Sequence, residues 1–152
     1  MIAIGSDHAG YRLKTEIIKY LKENNYEVKD FGTNDDCCSV DYPDFGEMVA
    51  KAVSSGECEK GIIICGTGIG ISITANKVPG IRAALCTDTY MAKMSREHND
   101  ANILALGERV IGVGVALDIV EAWLKTEFQG GRHQRRIDKM TAIDRKYSRT
   151  GE

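Results

Sequence analysis

The feature that most limits the fold is a series of short apolar runs set between stretches of helical period. Strand-like segments recur at Ile2–Gly5, Glu27–Lys29, Gly61–Cys65, Ile81–Cys86 and Asn102–Leu106. Three of the five are nearly continuous in apolar residues, as expected for strands covered on both faces. Between them, residues 10–24 place Leu13, Ile17, Ile18 and Leu21 on one helical stripe. Further helical stretches run at about 45–55, 88–98 and 114–127, the last with Val115, Ile119, Ala122 and Trp123 as an inner face. A basic helix at about 133–146 follows Gly130-Gly131. Strand–helix alternation of this kind predicts an α/β protein: a three-layer αβα sandwich, Rossmann-like, with a five-stranded parallel sheet and an added C-terminal helix. The 152 residues carry no repeat or linker, so residues 1–152 are expected to form one domain.

Charge and cysteine content narrow the functional classes. A net charge of −2 gives no overall field toward nucleic acid or anionic lipid. The N-terminus lacks a signal-peptide pattern, and no apolar run is long enough to span a bilayer. Neither nucleic acid nor membrane is therefore an expected partner. Five cysteines, an odd number in a chain that needs no staples, predict a reducing, cytoplasmic setting. No Cys-x-x-Cys pair is present and the three histidines are dispersed, so neither metal nor cofactor is expected.

In parallel sheets the ligand lies beyond the carboxyl ends of the strands. Those ends carry Ser6-Asp7-His8, Cys65-Gly66-Thr67-Gly68 and Cys86-Thr87-Asp88, and the loop after the fifth strand carries Gly107-Glu108-Arg109. The run Cys65 to Ser72 is the most informative. Alternating Gly66, Gly68 and Gly70 between a buried strand and a helix start let backbone N–H groups converge on an anion, although tight packing alone could also require them. A dinucleotide fingerprint would follow the first strand, and a phosphatase loop would need an arginine where Ile71 and Ser72 stand. Cys65, facing those amides, sits where a thiolate is favoured; the plainer alternative is a buried thiol acting as a small hydrophobe. That plainer reading is taken for Cys37, Cys38, Cys58 and Cys86. His8 and His98 could act in chemistry or cap helices. Arg132 and Arg136, four apart, share a helical face and could grip one phosphate or simply be solvated, and Arg109 allows the same two readings.

The motifs Ser6-Asp7-His8-Ala9-Gly10, Asp41-Tyr42-Pro43, Cys65 to Gly70, Ala75-Asn76-Lys77, Ser95 to Asn99 and Gly130 to Gln134 together resemble the B-type ribose-5-phosphate isomerases, relatives of the galactose-6-phosphate isomerase subunits. The resemblance runs over nearly the whole chain and implies aldose–ketose isomerisation of ribose 5-phosphate in the pentose phosphate pathway. It implies that Cys65 carries the proton between C2 and C1, and that the amides of Gly66 to Gly70, with Asn99, hold the enediolate oxygens. Asp7, Thr67 and His98 would serve ring opening and proton transfer to oxygen. His8, Arg109, Arg132 and Arg136 would hold the phosphate, and Tyr42 would line the sugar. It further implies a homodimer with sites shared between subunits, alone or paired again, and the C-terminal helix reaching a partner. Two alternatives stay open: an isomerase of a six-carbon sugar phosphate such as allose or galactose 6-phosphate, and a non-catalytic sugar-phosphate-binding regulator.

Overall fold

A computed structural model describes residues 1–148. Its strands are β1 (Ile2–Ser6), β2 (Val28–Asp30), β3 (Lys60–Cys65), β4 (Ala83–Leu85) and β5 (Ile103–Gly107). The helices are α1 (Tyr11–Glu23), α2 (Tyr42–Ser54), α3 (Ile69–Ala75), α4 (Thr89–Glu97), α5 (Val113–Lys125) and α6 (Arg132–Tyr147), with a 3-10 turn at His8–Gly10 before α1. All four strand pairings are parallel, in the order β2-β1-β3-β5-β4. The expected five-stranded α/β sandwich is the observed one.

Strand alternation sorts the core into two halves. Ile2, Ile4, Ile62, Ile64, Leu104 and Leu106 face α1, α4 and α5. Ala3, Ile63, Cys65, Ile103 and Ala105 face α2 and α3. Ile62, Ile63 and Ile64 on the central strand are fully buried. Each removes enough apolar area from water to contribute about 1.5–3 kcal/mol. This burial makes β3, and the cysteine at its end, a rigid reference for the site.

Boundaries differ from the sequence expectation where neighbours, not periodicity, decide them. β4 is shorter than 81–86 because it lies at the sheet edge, where only Ala83–Leu85 pair with Ile103–Ala105 of β5. α2 begins at Tyr42, ahead of the expected position 45, with Pro43 in its first turn. Proline is suited there because its missing N–H would have no helical partner. On α5, Val115 is 48% exposed instead of inward. The buried stripe is Ala116, Ile119, Val120 and Trp123, the i, i+3, i+4, i+7 set of a helix starting at Val113. Cys58 and Cys86 are buried as expected; Cys37 and Cys38 are not, because they occupy the exposed loop between β2 and α2.

α6 stands apart. Its only buried residues are His133 and Ile137, while Met140, Ile143 and Tyr147 are 42%, 59% and 71% exposed. No helix among the described residues is long and apolar enough to cross a membrane.

Candidate active site

β3 delivers Cys65 to the carboxyl edge of the sheet at 4% exposure. There the chain turns sharply. Gly68 adopts φ +78°, and a Cβ on it would meet Leu85 Cδ1 at 2.6 Å and the Leu106 carbonyl carbon at 2.9 Å. Only glycine satisfies both the left-handed backbone and that closeness. The turn brings the Gly68 N–H to donate to Cys65 Sγ at 3.2 Å, while the Ile69 N–H donates to Thr67 Oγ1 at 3.2 Å. The amides of Gly66 and Thr67 have no hydrogen-bond acceptor among the described residues. Two unclaimed donors therefore follow the cysteine directly in the chain, within the turn that Gly68 closes on its sulfur.

Neighbouring strand ends enclose this cradle. Gly107 packs so closely that a Cβ would touch the Thr67 carbonyl oxygen at 2.5 Å. The Glu108 and Arg109 amides donate to the Cys65 and Gly66 carbonyls, each at 3.0 Å. The Arg109 side chain lies across Gly66, and the Tyr42 ring lies over Gly70, where a Cβ would meet it at 2.6 Å. Glu108 accepts from the Leu13 N–H at 2.6 Å, anchoring the loop to α1. Asp7, 5% exposed, follows β1 and accepts from the Gly10 N–H at 3.1 Å. His8 Nδ1 accepts from the Val40 N–H at 3.1 Å, which leaves the proton of a neutral ring on Nε2 as a free donor.

Cys65, Gly66, Thr67, Gly68, Gly70, Asp7, His8, Tyr42 and Arg109 thus belong to one edge of the sheet. His98, Asn99, Arg132 and Arg136 do not. α4 crosses back between two parallel strands, so His98, its C-cap, returns to the amino end where β5 starts. Ile103 there pairs with Gly61, four residues before Cys65. At about 3.3 Å per residue, roughly 13 Å of strand separates the two edges. The second group is assembled by a contact the sequence did not reveal: His133 stacks on His98, with ring centroids 4.2 Å apart and planes at 12°. His133 is 5% exposed. The stack seats the start of α6, and hence Arg132 and the exposed Arg136, beside His98. Asn99 is fixed through its carbonyl, which accepts from Arg82 Nε at 2.9 Å.

Burial lowers the pKa of His133 below its ordinary 6.5, and the neighbouring His98, Arg132 and Arg136 act in the same direction. The folded state therefore resists a proton that the unfolded chain accepts. The stability this contributes is complete above the ordinary histidine range and is lost as pH falls from about 6.5 through the folded value. The protection of α6 amides against exchange, corrected for the intrinsic pH dependence of the rate, should fall between pH 7.5 and 5, and the fall should shrink in His133→Asn. A His133 ring titrating by NMR at or above the ordinary value would contradict this.

Among the described residues, no group of three or more His, Cys, Asp or Glu side chains is arranged to hold a metal. A thiol, an acid and an amide cradle on the carboxyl edge of a parallel sheet define a small-molecule enzyme that acts on an anionic substrate. Known proteins agree. The family model described as Ribose/Galactose Isomerase matches residues 2–140. Ribose-5-phosphate isomerase B of Escherichia coli is 51% identical over 145 residues, covering 95% of this chain and 97% of the relative. The solved ribose-5-phosphate isomerase B of Clostridium thermocellum superposes with a TM-score of 0.95 at 69% identity, covering 97% of this chain and 99% of that one. The Mycoplasma genitalium enzyme of that name, solved with bound ribulose-5-phosphate, gives 0.92 at 42% identity, covering 97% of both chains. The chain belongs to the ribose/galactose isomerase family.

Proposed function

We propose that this protein interconverts ribose 5-phosphate and ribulose 5-phosphate through an enediolate, with Cys65 as the base. The observation that carries the reading is the buried Cys65 thiol and, directly after it in the chain, the unclaimed Gly66 and Thr67 amides. Isomerisation needs a base next to a C–H and donors where an oxyanion develops, and those two needs meet here. Cys65 thiolate takes the proton from C2 of the open-chain aldose, and the C1 carbonyl oxygen gains negative charge against the cradle. The same thiol returns the proton to C1, while the proton of the C2 hydroxyl leaves to give the ketone. Asp7, Thr67 and His98 serve ring opening and the proton transfers between oxygens. Asn99 supplements the cradle, Tyr42 lines the sugar, and His8, Arg109, Arg132 and Arg136 hold the phosphate. Phosphate held away from the reacting carbons supplies the binding energy that fixes orientation.

The two groups at opposite sheet edges support a homodimer in which His98, Asn99, Arg132 and Arg136 of one subunit complete the Cys65 site of the other. A two-fold axis supplies both sites at once. Apolar residues left exposed on each side favour such contact: Ile69 and Ile73 beside the cradle, Met140 and Ile143 on α6. The test of function is direct. Ribose 5-phosphate, allose 6-phosphate and galactose 6-phosphate are each incubated with the protein and followed by NMR. Ribulose 5-phosphate should form fastest. Preferential conversion of a six-carbon substrate would reassign the sugar, and no conversion of any would leave only a binding role.

A further inference from the structure

The loop between β2 and α2 holds a feature that isomerisation does not use. Cys37 and Cys38 are adjacent in sequence and both exposed, and their sulfurs approach to 3.2 Å. Adjacent side chains in extended backbone normally point to opposite sides, so this convergence is a specific local conformation. Asp35 holds it, accepting from the Cys37 N–H at 3.2 Å and from the Cys37 thiol at 3.0 Å. The loop is tied to α1 at its middle and to the candidate site at its C-terminal end. Asp36 pairs with Arg12 at 2.9 Å, the Val40 N–H donates to His8 Nδ1 at 3.1 Å, and Tyr42 opens α2 over Gly70.

We propose that Cys37 and Cys38 form a reversible redox-modification site, closed to a vicinal disulfide by low-molecular-weight disulfides, whose closure weakens phosphate binding through Val40 and His8. The coupling to phosphate rests on the role given to His8 above; the modification itself does not. The sulfurs need to approach by only about 1 Å to reach bonding distance. The Cys38 thiolate attacks a disulfide R–S–S–R, forming Cys38–S–S–R and releasing R–S⁻, which takes up a proton. Cys37 loses its proton to solvent and attacks the Cys38 sulfur, expelling the second R–S⁻, which is protonated in turn. The balance is two protein thiols and one disulfide converted to one protein disulfide and two small thiols. Hydrogen bonding to the Asp35 carboxylate, and then to Cys38, pushes the Cys37 thiol up to about 11. Because the Cys37 thiol keeps its proton in the 3.0 Å bond to Asp35, Cys38 is assigned as the first attacker and Cys37 as the resolving group. Adjacent Cα atoms stand about 3.8 Å apart, short of the usual span of about 4.4–6.8 Å across a disulfide. The bond is therefore strained and readily reduced, as a reversible switch requires. Closure removes the thiol proton that Cys37 donates to Asp35 and draws residues 37 and 38 together, a change proposed to pass along the loop to the Val40 contact with His8.

The experiment uses the full chain carrying Cys65→Ser, so that oxidation of the candidate base plays no part. The protein is titrated with oxidised glutathione, and inorganic phosphate affinity is measured by calorimetry before and after. Expected results are a peptide containing residues 37 and 38 that is lighter by two hydrogens, reversal by dithiothreitol, and a loss of phosphate affinity of about three- to ten-fold, the scale of one hydrogen bond. Adding Cys37→Ser should leave reduced affinity unchanged, abolish the two-hydrogen loss and stop oxidation at a glutathione adduct on Cys38. With Cys37 present, a stable glutathione adduct on Cys38, or no reaction at either sulfur, would overturn the modification site. A closed ring with unchanged phosphate affinity would overturn the coupling, provided His8→Ala in the reduced protein weakens phosphate. Where His8→Ala has no effect, the phosphate role of His8 is the reading that fails.

Discussion

Cys65→Ser is expected to lower kcat by roughly 10²–10⁴-fold, the range spanned by a positioned general base. A serine hydroxyl holds its proton too tightly at neutral pH to replace a thiolate. The substitution is otherwise conservative at this position. The hydroxyl can accept from the Gly68 N–H that now donates to Sγ, so the turn keeps its closing bond. Stability should change by less than about 1 kcal/mol. Phosphate affinity should hold, since no phosphate-binding group is touched. These three readouts separate chemistry from folding and from binding. A Cys65→Ser protein turning over near the wild-type rate would remove the thiol from the mechanism. A protein that melts much earlier and binds nothing would show that the cysteine's role is packing.

Mixing two crippled variants gives the other large effect. On the proposed roles, Cys65→Ala removes the base, and Arg136→Ala removes a charge-assisted phosphate contact worth about 1.5–3 kcal/mol. Each alone should be nearly inactive at low substrate. In a shared-site dimer, one site of a mixed pair carries both defects and the other carries neither. Random exchange makes half the dimers mixed, so activity should recover to roughly a quarter of wild type. Exchange must be shown independently, by mass tagging after mild unfolding and refolding, because subunits of a stable dimer trade slowly. Demonstrated exchange without recovery would place Cys65 and Arg136 in the same chain's site, and the two-edge arrangement would then need another explanation.

The parts of this molecule legible in the sequence are those where one local pattern has one physical solution. Ile62-Ile63-Ile64 between a glycine and a cysteine has no stable place except a strand covered on both faces. Alternating glycines after such a strand signalled the turn that seats Gly68 N–H on Cys65. The family resemblance supplied residue roles that composition could not. What stayed hidden depends on contacts between distant segments. The stacking of His98 on His133 joins residues 35 apart, and neither neighbourhood announces the other. A weak signal was available: His133 and Ile137 are four apart and less polar than the rest of a basic helix, and they are the residues that α6 buries. The division of the motif residues between two sheet edges follows from α4 running back against the strands. It becomes visible only once strand order and direction are known. The exposure of Cys37 and Cys38 was missed because cysteine burial was inferred from residue type, whereas a loop position decided it.

If the proposed shared site holds, the roughly 13 Å of strand between Cys65 and the start of β5 makes catalysis a question of concentration. With the proposed division of labour, a lone subunit holds a base with only His8 and Arg109 of its phosphate clamp at one end, and Arg132 and Arg136 without a base at the other. Specific activity then follows the fraction of chains that are paired and falls on dilution below the dissociation constant of the pair, with no change in any active-site residue. A surface substitution far from Cys65 that loosens pairing would look like a catalytic lesion at nanomolar enzyme and vanish at micromolar enzyme. On that proposal, rates for this protein carry meaning only alongside the enzyme concentration at which they were taken. The same dependence gives selection for turnover a direct hold on the contact surface.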